Sequence, residues 1–509
     1  MKRYLSLGGA IAASTILTST AVLAQVSATD VRDDLLTYIE ASNLTVNYSE
    51  SASGNGIALN NVTITVPELE AEGLYVSMVF PSITLTESGG NVDIAISPVN
   101  NIKFQVGPNG SEMNLEMMLN YGGHSMTASG TNDRTTYSYS MDSMSMVNTA
   151  FAVEGQPING TLAFSATNSS GEYTQVNGNL MSVAGSSSID TLSVAANLDV
   201  PGEVAMNFAF SVSDLNTDFQ TATVPGLDYE DPMAVLNAIN AGMSIMGLVN
   251  TGQVAMNFEF TEGNDNASVT MTTSAIEGGV LFNKDDFAFS EVISDLVFVM
   301  SGSDIPLPQI VVQAQEILMG GRAPLSASDE PRQVAMQLGV RELALQPEVW
   351  GMIDPMGAFP HDPLTAVLQA SGNINMHYSV TDPMGAQQFA MAMESEQLPF
   401  TIHDFSLDEL TLMGGGASIT GTGSFSFDPN GMPIMPGLTM PSGSASFELL
   451  GVNSLLDTLI EMGLVPAEEA MGMRMMMGMF TVSTGDDAMS STIEINDQGH
   501  ILANGQRIQ

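Results

Sequence analysis

The chain has no cysteine, one tryptophan, five histidines and only eleven basic residues among 509. Without cysteine no disulfide can staple the fold, and no thiolate is present to act as nucleophile, bind metal or carry an acyl anchor. Eleven Lys and Arg against 56 Asp and Glu give a formal charge of −45. A surface of that sign repels phosphate backbones and anionic headgroups, which excludes nucleic acid as a partner. After Lys2 the only lysines are Lys103 and Lys284, and no Gly-Lys pair exists, so a P-loop is ruled out. His124, His361, His377, His403 and His500 are scattered, with no H-E-x-x-H pair, and no G-x-S-x-G elbow occurs. "SDLNTDF" begins like a calcium loop with Asp214, Asn216 and Asp218, then fails at Phe219 and Pro225, where a glycine and a bidentate Glu are required. No catalytic residue and no cofactor is assigned on these grounds.

Beyond the N-terminus there is also no apolar run approaching the ~18 residues of a membrane-spanning helix. The first two dozen residues have the three parts of a secretory signal: basic Lys2 and Arg3, an apolar and small-residue core from Leu5 to Leu23, and the small-x-small pattern Val22-Leu23-Ala24. Cleavage after Ala24 is expected, giving a mature chain that begins at Gln25 in the periplasm, with no transmembrane segment after the signal.

What remains is rich in alternation. From Gly56 to Met300, stretches such as "NNVTITVPEL" and "TTYSYSMDSMSM" alternate apolar and polar residues between turn residues, the pattern of half-buried antiparallel strands. "PGEVAMNFAF" at 201–210 returns fifty positions later as "TGQVAMNFEF" at 251–260, and "RQVAMQLGV" at 332–340 repeats its middle. In a strand Val204, Met206 and Phe208 share one face, as do Val254, Met256 and Phe258. Helices are expected over 29–41, capped by Ser27 or Thr29, over 232–249 behind the Asp231-Pro232 start, and as a hairpin near 453–480. Gln309 to Met319 fits helix or strand equally. Pro306, Pro308, Pro324 and Pro331 bracket it, marking 303–332 as a connection between an N-terminal β-rich half, 25–302, and a C-terminal β-rich half, 333–509. Turns at Asp497-Gln498-Gly499 and Asn504-Gly505 close the chain as a small ribbon. The expected fold is mainly β: an extended antiparallel meander, closed as a sandwich or open as a groove, with a few short helices.

"MGMRMMMGMF" at 471–480 holds six of the 37 methionines. Met473, Met476 and Met477, at i, i+3 and i+4, could converge on Cu(I), which soft thioethers suit. A helix apolar nearly all round is otherwise a buried one, and methionine is an adaptable core filler, so core packing is the expected role, with an apolar-ligand pocket as the other alternative.

One stretch is distinctive: "EVWGMIDPMGAFPHDPLTAVLQASGNI", with Trp350, Asp354, Pro355, Pro360, Asp362 and Pro363. With "LLDTLIEMGLVP" and the terminal "NGQRI" it resembles the domain-of-unknown-function (DUF) 2125 family of exported alphaproteobacterial proteins, over about residue 340 to the end. It departs from that signature at His361, which stands in place of an arginine. The resemblance implies a Gram-negative envelope location and one long β-rich region, and brings no catalytic residues. The two X-Pro turns fix an extended path, and Trp350 is expected to pack its indole into the core. The function expected is non-enzymatic, with a methionine-lined β surface binding a lipid, another apolar ligand or an envelope protein. The alternatives are a periplasmic hydrolase and a purely structural envelope component.

Overall fold

A computed structural model describes residues 25–508 apart from 72, 108–109, 201–203, 396, 429–430 and 436–437. The signal-like segment 1–24 lies outside the described residues. The protein is mainly β. Apart from the short ribbon Pro433–Met435 with Leu438–Thr439, its strands join one large antiparallel sheet. The helices are α1 Ala28–Ala41, α2 Pro67–Ala71, α3 Pro232–Asn240, α4 Pro347–Ile353, α5 Pro383–Glu394, α6 Val452–Glu461 and α7 Ala467–Phe480.

The chain divides into two compact units. Among the described residues, unit 1 comprises 25–158, 163–190 and 217–227, and unit 2 comprises 159–162, 191–216 and 228–508. The long strands Gly160–Val176, Met181–Val200 and Val204–Thr223 contribute residues to both.

In unit 1, α1 starts where the sequence says it should. Ser27 caps the Asp30 N–H while the Asp30 carboxylate accepts the Ser27 N–H, a reciprocal box that satisfies two otherwise orphaned donors. The helix lays Val31 beside Leu59, Val62, Ile83 and Leu85 in a closed core. The strand Leu74–Ser88 splits its two halves between partners, Val99–Val106 and Asn91–Ile96, and Arg134–Val153 does the same with Met113–Gly122 and Ser125–Thr131. Asn91–Ile96 and Ser125–Thr131 meet at Val92 and Ala128, both fully buried.

In unit 2 the two copies of the repeated motif lie side by side. Val204–Thr223 pairs antiparallel with Val254–Glu262, setting Met206 against Phe260, Phe208 against Phe258 and Phe210 against Met256. The next strands follow as Asp265–Thr273, Asp286–Gly302, Ile310–Pro324, Arg332–Leu345, Leu364–Met376, Phe400–Gly414, Ala417–Phe427, Pro441–Leu450 and Ala488–Ile495, each paired antiparallel with the one before. The terminal ribbon Ile501–Ala503 and Gln506–Arg507 continues the sheet.

Three local expectations change. The stretch 303–332, read as a connection, holds the strand Ile310–Pro324 paired on both sides, which resolves the helix-or-strand ambiguity of 309–319 as strand. The helix expected over 232–249 ends at Asn240. Gly242, at φ 109°, breaks it, and Ser244–Thr251 pairs as a strand with Ala275–Phe282. The methionine helix α7 is not core: Met471, Met475, Met476 and Met479 are each at least 60% exposed. Its inward stripe is Ala470, fully buried, with Arg474, whose guanidinium bonds the Asn453 carbonyl and Asp457 of α6. Small and hydrogen-bonding residues let α7 sit close on α6, and among the described residues none covers the remaining arc, which stays exposed.

Candidate apolar binding face

From Asp286–Gly302 onward, register aligns apolar side chains into rows across unit 2. One row runs Ile293, Ile317, Val340, Ala366, Leu412, Ile419, Leu449 and Met489. The next runs Met319, Leu338, Leu368, Leu410, Gly421 and Phe447. A third runs Phe289, Gly321, Met336, Ala370, Leu407, Gly423, Ala445 and Ile493. Neighbouring rows lie two residues apart along each strand and so share a face. A bulge in Phe400–Gly414 between Leu407 and Leu410 absorbs one residue and keeps both on that face.

On the other face of the last strands the rows are polar: Thr411, Thr420, Glu448 and Ser490, then Ser406, Ser424, Ser444 and Glu494. A sheet with one polar face would normally bury the other. Here it stays open: on the last strands Phe405 is 44% exposed and Leu412 43%, and on the middle strands Leu338 is 58%, Met336 48% and Met319 43%, although the reverse side of those middle strands buries Leu318 and Val367. Among the described residues the helices of unit 2 that meet these strands broadly are α6, at Ala417–Phe427, and α7, at Ala488–Ile495. The face closes down toward one end, where Ala370, Ile374 and Met376 are buried. On the duplicated strands Met206, Phe208, Met256 and Phe258 are half-buried, and Val212 and Val254 are buried. A separate cavity of about 250 Å³, lined by Asn197, Asn207, Phe208 and Asn257, is smaller than the ~300 Å³ at which ligand pockets begin.

The signature residues gather at the opposite end. Trp350, on α4, is half-buried and does not enter a core; its indole stacks on the His361 imidazole, with centroids 4.7 Å apart and planes within 3°. Asp354 is buried, accepts the Phe359 N–H at 2.8 Å, and lies 3.4 Å from His361 Nε2. Hydrogen bonds from the Phe359 and Ala358 N–H groups hold its carboxyl below the usual range, against burial, with His361 adding to them. Pro355, Pro360, Asp362 and Pro363 are exposed and shape the loop. Over the Gly414–Gly416 turn that loop meets α6: a Cβ added to Gly415 would lie 3.1 Å from Leu455 and 3.4 Å from the Phe359 ring.

Of the Cu(I) trio, Met473 and Met476 are exposed and Met477 is half-buried. Among the described residues no group of three His, Asp or Glu side chains is placed to hold a metal. The histidines stay apart. His403 bonds Asn375, His377 bonds Thr401 at 2.8 Å, and His124 Nε2 faces the Ile96 N–H at 3.3 Å. In unit 1, Asp34 accepts Tyr137 at 3.0 Å and Asn177 at 2.5 Å, with Tyr173 stacked on Tyr137. Burial, then the Asp34 charge, drives the Tyr137 hydroxyl upward, and burial does the same to Tyr173, so both phenols are poor proton donors.

Carboxylates also fix the elements at this end. Asp487 accepts the N–H groups of Asn453 and Ser454 and the Ser454 hydroxyl, capping α6 from a distant turn because Gly451 has no side chain to do so. Burial alone would raise Asp487, but these bonds outweigh it and its carboxyl falls below 3.8. Glu409 is held below 4.5, chiefly by its hydrogen bonds from Arg341. Groups lowered on folding contribute stability that is present above their unfolded values and lost as pH falls through the folded ones. Thermal unfolding followed against pH should therefore be flat near neutrality and fall below about pH 4.5, and Asp487→Asn should remove part of that acid slope. The raised Tyr137 and Tyr173 add stability that is lost above about pH 10.

Among known proteins, no family model matches the chain, and no curated protein is significantly similar to it.

Proposed function

We propose that this is a non-enzymatic periplasmic protein whose open apolar face binds the acyl chains of a lipid. The observation that carries the reading is the run of apolar rows that stays open at Leu338, Met336 and Phe405 on one side of the sheet, while the other side is buried at Leu318 and Val367 and polar on the last strands. Exposed apolar area of that extent on one face is a binding surface or an aggregation liability, and a chain at −45 is protected from the latter by self-repulsion. Thioethers at Met319, Met336 and Met489 can repack around chains of different length and unsaturation. The periplasmic location is supported by the N-terminal signal pattern, and the DUF 2125 resemblance points to the same compartment. The hydrolase alternative has less behind it. His361 is stacked on Trp350, its Asp354 neighbour is engaged by backbone N–H groups, and no hydroxyl nucleophile is bonded to that imidazole among the described contacts.

The test is to purify the mature protein from its native envelope, extract it with organic solvent and identify lipid by mass spectrometry. Intact mass on the same sample reads whether the chain begins at Gln25. A stoichiometric lipid is expected, reduced at least tenfold in a Met336→Glu, Leu338→Glu variant. Both positions are about half exposed, so that variant keeps its fold. Absence of lipid, together with no uptake of an apolar fluorescent probe by the parent, overturns the proposal and leaves a structural role.

A further inference from the structure

The end of unit 2 that carries α4, α6 and α7 exposes a second apolar surface. Winding α7 at about 100° per residue places Met471, Met475, Met479, Met476, Phe480 and Met473 along an arc of roughly 200°, and all are exposed. A helix that docks in a protein groove needs a stripe of only about 100°. Beside α6, the α4 loop adds Met352, Ile353 and Met356, exposed by 60%, 56% and 75%, and the turn before α7 adds Leu464 at 63%.

We propose that this end docks on the surface of a net-uncharged phospholipid bilayer, so that the apolar face opens where lipid enters or leaves. The inference rests on the acyl-binding reading above. Four observations select a bilayer. The apolar arc is too wide for one partner groove, whereas a helix lying in the interface immerses such an arc. The side chains are methionines, which conform to a fluid surface, and not the Trp, Tyr and Arg anchors that dominate specific protein interfaces. The only cation of α7, Arg474, is turned inward onto Asp457, and Glu468 and Glu469 stand exposed at its start, so an anionic membrane would repel this end. The surface is also continuous with the binding face: the Thr481 hydroxyl, which closes α7 by donating to the Met477 carbonyl at 2.8 Å, lies 3.4 Å from Met489 Sδ, and Met489 ends the first apolar row. Fourteen residues of helix rise about 21 Å, short of the ~30 Å hydrocarbon core, so α7 lies along the membrane and does not cross it.

The experiment uses the full mature chain with vesicles of phosphatidylcholine, measuring the co-floating fraction and quenching of the single tryptophan, Trp350, by brominated phosphatidylcholine. A triple variant, Met471→Gln, Met475→Gln and Met479→Gln, is compared with the parent, and uptake of a fluorescent fatty acid is measured without vesicles. The parent is expected to float and be quenched, the variant to float at least tenfold less, and fatty-acid uptake to be equal in both. Vesicles containing phosphatidylglycerol should bind the parent less. A parent that does not float, or a variant that floats as the parent does, overturns the docking proposal, and intact fatty-acid uptake in that case leaves the groove standing. Floating without uptake in the parent removes the groove and keeps the membrane contact.

Discussion

Leu59→Ala is expected to destabilise unit 1 by about 3 kcal/mol, while Leu338→Ala, the same chemical change in unit 2, should cost under about 1 kcal/mol. Leu59 is 1% exposed and packs in the cluster that includes Val31, Val62 and Leu85, where α1 closes over the sheet. Truncation there removes buried methyl groups and leaves a void the neighbours fill only partly. Leu338 is 58% exposed, so most of its side chain already faces solvent and little transfer energy is at stake. Denaturant unfolding combined with hydrogen exchange reads the two costs separately, since exchange reports each unit's own opening. A loss at Leu338 near that at Leu59 would mean the face is covered and would remove the groove.

Arg341→Met is expected to cost about 2 kcal/mol and to change the acid response of the protein. Arg341 holds Glu409 in a two-pronged pair at 2.7 and 2.8 Å and Glu316 at 3.1 Å, tying together strands on either side of Leu364–Met376. The geometry arises at Glu342. Its φ of 50° marks a bulge where the register with Leu364–Met376 slips between Val340 and Leu343. The three side chains are a quarter to a third exposed, so the loss is set below that of a fully buried pair. Removing the guanidinium leaves two partly buried carboxylates facing each other. Glu409→Gln in the same chain should recover about half the loss, and the gap between parent and Arg341→Met should narrow as pH drops below 4.5, because protonation relieves the repulsion. Chemical denaturation of the four-member cycle at pH 7 and pH 4 checks both statements. An additive cycle would show that the ion pair does not couple these strands.

Several features of the protein were decided locally and could be read from the sequence. Ser27 and Asp231 cap helices because a side-chain oxygen next to free N–H groups works in any surroundings. Period-two alternation defines strands because the pleat is a property of the backbone, and it predicts which residues of one strand share a face. The paired copies at 204–212 and 254–262 followed from the same alternation, although their adjacency did not. The absence of cysteine and the scarcity of lysine set limits on chemistry that no packing could lift.

Tertiary structure decided what lies opposite each face. The methionines of 471–480 read as core because a nearly all-apolar helix is usually covered. Here the small residue Ala470 and the paired Arg474 approach α6, and among the described residues none covers the rest. Trp350 read as a core indole for the same reason, and its partner is instead His361, eleven residues on, brought back by the turns of the loop. The open face at Met336, Leu338 and Phe405 was visible in sequence only as alternation, which a closed sandwich would satisfy equally. Alternation records which residues point together. Whether that side meets a second layer depends on the pairing of strands far apart in the chain, and thus on the balance of burial over the whole sheet.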